Sequence, residues 1–212
     1  MSDSFDSEAI SGEEISIISD ANTESKTQTD VNKEKEIQKN EELIKIISEA
    51  LTTILECNQD LPDYKKIISL QEKMVFSSTT IPKISIYDYL VRIQNYAYIE
   101  KSTLIISLIF IDKLCELAEL ILTHYNIHRV LFTAISLAIK YNEDTFYDNK
   151  YYSEIAGVNL KELKLMEYSF LELTDFNLFV PNETFEKYTE FLDYYKNNKE
   201  GSYVKMLSLV EE

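Results

Sequence analysis

An all-α fold is what this sequence predicts, and three observations carry it. Only three glycines and three prolines are spread over 212 residues, too few for the turns of a β meander. Good helix formers, Leu, Lys and Glu among them, dominate the ordered part. Apolar residues recur three and four apart in successive segments, each preceded by Ser or Asn in a capping position.

Residues 1–38 read as a disordered acidic tail, since Ser, Thr, Asp and Glu with isolated isoleucines cannot bury enough apolar surface to offset ordering. Residues 39–82 read as an N-terminal helical extension. Leu43, Ile46, Ile47, Ala50, Leu51, Ile54 and Leu55 lie on one face of a helix from Glu41 to about Cys57. Beyond Pro62, the residues Tyr64 to Val75 form a shorter helix or an extended connector.

Ser85 is placed to cap a helix from Ile86 to about Ile99, with Asp88 in its first turn. Ser102 caps the next, whose apolar positions from Leu104 to Leu122 cover more than half the circumference and predict a central helix. Asn126 caps a third, to about Tyr141, with Val130, Leu131, Ala134, Leu137 and Ala138 inward. A short fourth helix is stopped by Gly157, and Asn159 with Glu162 forms a capping box for a fifth through Leu163, Met166, Phe170 and Leu173. A sixth runs from Asn182 to about Lys196 with Phe185, Tyr188, Phe191 and Leu192 on one side.

Net charge is −16, and no run of Lys or Arg exceeds a pair such as Lys65-Lys66, so direct nucleic-acid binding is not expected. The apolar run from Ser102 to Ile111 ends at Asp112, far short of the ~20 residues a membrane span needs. The N-terminus is acidic and carries no secretory signal pattern, and Cys57 and Cys115 lack metal or disulfide spacing. An intracellular protein of the nucleus or cytoplasm is expected. His124 and His128 are four apart, but Asn126 places a helix start between them and neither metal nor cofactor site is predicted. Glycine-rich phosphate loops and catalytic constellations are absent from the sequence.

The order Ile127 to Asp144, then Tyr151 to Gly157, then Leu163 to Phe176, preceded by Ser85 to Ile93 and Ser107 to Leu114, resembles a cyclin box. The His128-Arg129 pair and the segments Asn149 to Tyr152 and Gly157 to Leu163 are most similar to the yeast phosphate-pathway cyclins, the P/U type. The resemblance implies a single five-helix box over 83–180 with an extra N-terminal helix, and a C-terminal helix and tail over 181–212. It implies a non-enzymatic subunit that binds and activates a cyclin-dependent protein kinase.

Site residues follow position by position. Lys140 and Glu167 match cyclin residues that face the kinase and bond backbone groups beside its αC helix, with Leu137, Tyr141, Leu163, Met166 and Phe170 as an apolar platform. Taken alone, both charges would be solvated side chains. Asp112 lies in an apolar run and needs a partner if buried; Arg92 is the candidate, and the resemblance makes their pairing structural. Spacing alone leaves a half-exposed Asp112 open. Lys113 stands where many cyclins have arginine. Glu143, Asp144 and Asp148 form an acidic loop that would meet arginines of the kinase activation segment, against the alternative of a solvated loop. In the tail, Glu13 to Asp20 resembles a SUMO-interacting motif, a pattern that also arises by chance in acidic tails. Two rival readings use the same helices: a TFIIB-like transcription factor, which needs the basic faces this chain lacks, and a helical scaffold that does not activate a kinase.

Overall fold

The computed structural model describes the backbone of residues 28–197 and side chains over 40–195. The described residues form eight helices and no strand: α1 (Gln28–Gln59), α2 (Tyr64–Gln71), α3 (Ile86–Ala97), α4 (Lys101–Leu117), α5 (Ile127–Asn142), α6 (Asn149–Ala156), α7 (Leu160–Leu173) and α8 (Asn182–Asn197). The expected five-helix box is α3 to α7, with α1 and α2 before it and α8 after. The SUMO-type segment lies outside the described residues.

α5 is the centre. Every residue from Val130 to Ile139 is buried, because α4, α6 and α7 all pack on it. α4, expected to be central, is its main neighbour and is covered on its far side by α8 and α1. Phe110 of α4 and Phe170 of α7 tilt together with ring centroids 6.4 Å apart, and Phe76 meets Phe170 edge-on at 6.4 Å. Each fully buried phenylalanine contributes roughly 2–3 kcal/mol of apolar burial, which ties the α2–α3 connector to the box.

α1 begins at Gln28, inside the 1–38 segment expected to be disordered and well before Glu41. The run Lys33 to Glu42 is rich in helix-forming Glu and Lys, so propensity extends the helix where apolar periodicity gives no signal. Its buried Asn40 donates to the Ile99 carbonyl at 2.7 Å, pinning α1 to the α3–α4 turn. Asn58 donates to Leu122 O at 3.0 Å and fixes its other end.

Helix ends show where local signals hold. Ser85 accepts from the Asp88 N–H at 3.0 Å, and Asn159 from Glu162 N–H at 2.9 Å, as expected of caps. Gly157 ends α6 with φ +72°. Ser102 does not cap α4, whose N-cap is Glu100. Asn126 sits at the start of α5 but bends backward, accepting from Thr123 N–H at 2.8 Å and donating to Ile121 O at 2.9 Å.

α4 stops at Leu117 instead of continuing to Leu122. Glu119 turns left-handed with φ +49°, and the Leu120 N–H reaches back to Cys115 O at 3.0 Å. That conformation costs a non-glycine residue about 1–2 kcal/mol, whereas glycine adopts it with an entropic cost of about 0.5–1 kcal/mol. Glu119 is exposed, so Glu119→Gly is expected to stabilise the fold by about 0.5–1 kcal/mol and raise the thermal midpoint by roughly 1–4 °C. A lower midpoint would count against strain at this turn.

Candidate functional site

The centre of the site is a polar network between α5, α6 and α7. Lys140 lies in the last turn of α5 and Glu167 in the middle of α7. Their side chains form an ion pair that is 22% and 11% exposed, respectively. Ser136, one turn before Lys140, also donates to Glu167. Asn149, the first residue of α6, accepts from Lys140 Nζ at 2.6 Å and donates to Glu167 Oε2 at 2.8 Å. The Tyr152 ring lies under the ammonium, 5.9 Å from Nζ to centroid.

This arrangement leaves a defined remainder. Lys140 carries three N–H donors and two are engaged. Glu167 Oε1 accepts twice and Oε2 once. Among the described residues, one Lys140 N–H and one Glu167 Oε2 acceptor position therefore have no partner in this network. A second pair, Arg129 with Glu162, joins the same two helices near their N-terminal ends.

Several expected residues are elsewhere. Leu163, Met166 and Phe170 are 0% exposed and Leu137 is 6%, so these four are core residues and cannot form a docking platform. Tyr141 is exposed, with its ring 5.9 Å from Phe110. The large exposed rings nearest in sequence to the pair are Tyr141, Phe146 and Tyr168.

Arg92 and Asp112 do not pair. Arg92 donates to the Glu154 carbonyl of α6 at 3.0 Å, and Asp112 accepts from the Tyr188 hydroxyl of α8. The reason is topological: Arg92 lies on the side of α3 that packs on α6, while Asp112 faces α8. Burial pushes the Asp112 carboxyl up to about 6; the Tyr188 bond opposes this and Glu116 adds to it. The neighbouring Lys113 clamps the α7–α8 connection, donating to Phe179 O at 2.5 Å.

The acidic loop is divided. Glu143 accepts from the Glu100 N–H at 3.2 Å, and burial raises its carboxyl above the usual range. Asp148 caps α6 by accepting from Tyr151 N–H at 2.8 Å. Asp144 is exposed. His128 meets Ile84 O through Nε2 at 3.0 Å and packs against Tyr89 at 5.1 Å, which makes it a packing residue. Cys115 is half-buried and Cys57 is exposed, and both are free. Among the described residues no helix is long and apolar enough to cross a membrane.

Sequence reasoning missed Ser136, Asn149 and Tyr188. The Asn149 to Tyr152 segment stood out as part of the resemblance, but nothing in it signalled that Asn149 serves both charges.

The family model "Cyclin" matches residues 7–178. PHO85 cyclin-7 of Saccharomyces cerevisiae is 29% identical over 178 residues, covering 75% of this chain and 62% of its own length. Cyclin-U4-1 of Arabidopsis thaliana is 31% identical over 171 residues, covering 79% of this chain and 80% of its own. PHO85 cyclin-like protein psl1 of Schizosaccharomyces pombe is 31% identical over 165 residues, covering 74% and 68%. The chain thus belongs to the cyclin family, with P- and U-type and PHO85 cyclins as its relatives, and is a regulatory subunit rather than an enzyme.

Proposed function

We propose that this cyclin docks on a cyclin-dependent kinase of the PHO85 kind through the α5–α7 seam and holds that kinase in its active state. The observation that carries the reading is the half-buried Lys140–Glu167 pair, whose bonds within the fold leave one ammonium N–H and one carboxylate acceptor position unused. A neighbouring donor and acceptor match the C=O and N–H of a partner's backbone, whereas a free lysine or glutamate would select for charge. The exposed rings of Tyr141, Phe146 and Tyr168 supply the apolar contact that core residues do not.

Docking beside the kinase αC helix favours its inward position, in which the kinase's own Lys–Glu pair forms. The cyclin binds that state better than the other, and the difference in affinity is the switch. Of the three loop acids, Asp144 is the one left to meet activation-segment arginines, since Glu143 and Asp148 are engaged in the fold. In this reading residues 83–180 are the box, 39–82 its N-terminal extension and 181–212 its C-terminal helix and tail, acting inside the cell. The relatives are cyclins, which favours neither the TFIIB-like nor the scaffold reading.

Capture of the tagged full chain from its native cells is expected to co-purify a kinase of this kind. The purified complex is expected to phosphorylate a histone-type substrate well above the kinase alone. A chain that retains no kinase, or retains one without stimulating it, would overturn the proposal.

A further inference from the structure

Asn149 is tied to both docking charges, and nothing in the docking reading itself requires it. Ser136 reaches Glu167 alone, whereas the Asn149 amide accepts from Lys140 and donates to Glu167. An amide is the side-chain group that presents an acceptor and a donor on adjacent atoms, so it can serve a cation and a carboxylate together. Its own place is fixed by the cap that Asp148 forms on Tyr151 N–H at 2.8 Å and by Tyr147 N–H donating to the Tyr152 hydroxyl at 3.2 Å. The short helix α6 thereby carries a fixed amide to the end of α5.

Resting on the docking reading, we propose that Asn149 is the positioning residue of the kinase-docking surface. It holds the Lys140 ammonium and the Glu167 carboxylate in the orientation the partner meets. Lysine has a long flexible stem, and an ammonium held only by Glu167 would sample other rotamers, each of which points the remaining N–H elsewhere. Asn149 limits that loss before the partner arrives, which is preorganisation of a binding surface.

Two variants of the full chain test this, Asn149→Ala and Asn149→Asp, each first checked for an unchanged helical signal and a thermal midpoint near wild type. On the free protein, the acetylation rate of Lys140 is followed by mass spectrometry against the exposed Lys161 and Lys164 as references. Asn149→Ala is expected to raise the Lys140 rate severalfold and leave the references unchanged. With the Saccharomyces cerevisiae PHO85 kinase as probe, its affinity is expected to fall about tenfold, with stimulation at saturating cyclin preserved. Asn149→Asp keeps the acceptor for Lys140 but puts a carboxylate oxygen where Glu167 Oε2 accepts from the amide, so its affinity is expected to fall at least as far as that of Asn149→Ala.

An unchanged Lys140 rate together with an affinity within about twofold of wild type would overturn the proposal. Failure of the docking reading looks different: the wild-type chain does not bind the probe, or variants of Lys140 and Glu167 bind it normally. In that case the acetylation rate alone decides whether Asn149 positions the pair.

Discussion

Exchanging the two docking charges, Lys140→Glu with Glu167→Lys, is expected to abolish kinase stimulation while leaving the fold intact. The network explains why the double exchange is tolerated. The two residues bond each other, so the exchange keeps their ion pair. The neighbours of Glu167 adapt, since the Ser136 hydroxyl can accept as well as donate and the Asn149 amide can turn over. What changes is polarity at the surface: the donor appears where the partner offers a donor, and the acceptor faces an acceptor. Mispaired, desolvated interface charges cost about 2–5 kcal/mol, a loss of roughly thirtyfold to several thousandfold in affinity.

The single variant Glu167→Lys provides the contrast. It sets two ammonium groups together at a buried position and is expected to lower stability by about 3–5 kcal/mol. Circular dichroism and thermal unfolding separate the two cases. Full kinase stimulation by a folded double variant would show that the seam is not the docking surface.

Some signals confined to one turn of chain were legible in the sequence, although Ser102 and Asn126 do not cap their helices as expected. Ser85, Asn159 and Gly157 act within three residues of themselves, and each occupies its expected place. The end of α4 was not legible, because Glu119 adopts a left-handed conformation that composition assigns to glycine. Leu137, Leu163, Met166 and Phe170 show a different limit. Periodicity identifies the apolar face of a helix but does not say whether that face meets the core or a partner, and here it meets the core. Lys140 and Glu167 were found through resemblance, and their contact with each other spans 27 residues of chain that no local pattern connects. The partner of Asp112 was assigned wrongly for a related reason: Tyr188 lies 76 residues away, on a helix outside the five that the resemblance covers.

The change of partner from Arg92 to Tyr188 reverses the pH dependence expected of Asp112. A carboxylate beside a guanidinium has its pKa lowered, and its stabilisation is lost as the solution is acidified. Asp112 has its carboxyl raised to about 6, mainly by burial, against about 3.9 in an unfolded chain. The folded state therefore binds the proton more tightly than the unfolded state between about pH 4 and 6. The cost of the buried charge is present in full above pH 6 and is relieved as pH falls toward 4, by an amount on the order of 2–3 kcal/mol.

Asp112→Asn removes this titration while keeping an oxygen for the Tyr188 hydroxyl. It is expected to match or exceed wild-type stability at pH 7, with the advantage vanishing near pH 4. Tyr188→Phe leaves the carboxylate without that donor and is expected to cost about 1.5–3 kcal/mol at pH 7, less at pH 4.5 where the carboxyl is protonated. Burial also raises Glu143, so the wild-type profile alone mixes two groups with the same sign. Urea unfolding of both variants and wild type at pH 7 and 4.5 isolates Asp112. If Asp112→Asn is instead strongly destabilised at pH 7 and the gap closes in acid, the carboxylate is stabilised by a cation, and the Tyr188 arrangement is wrong.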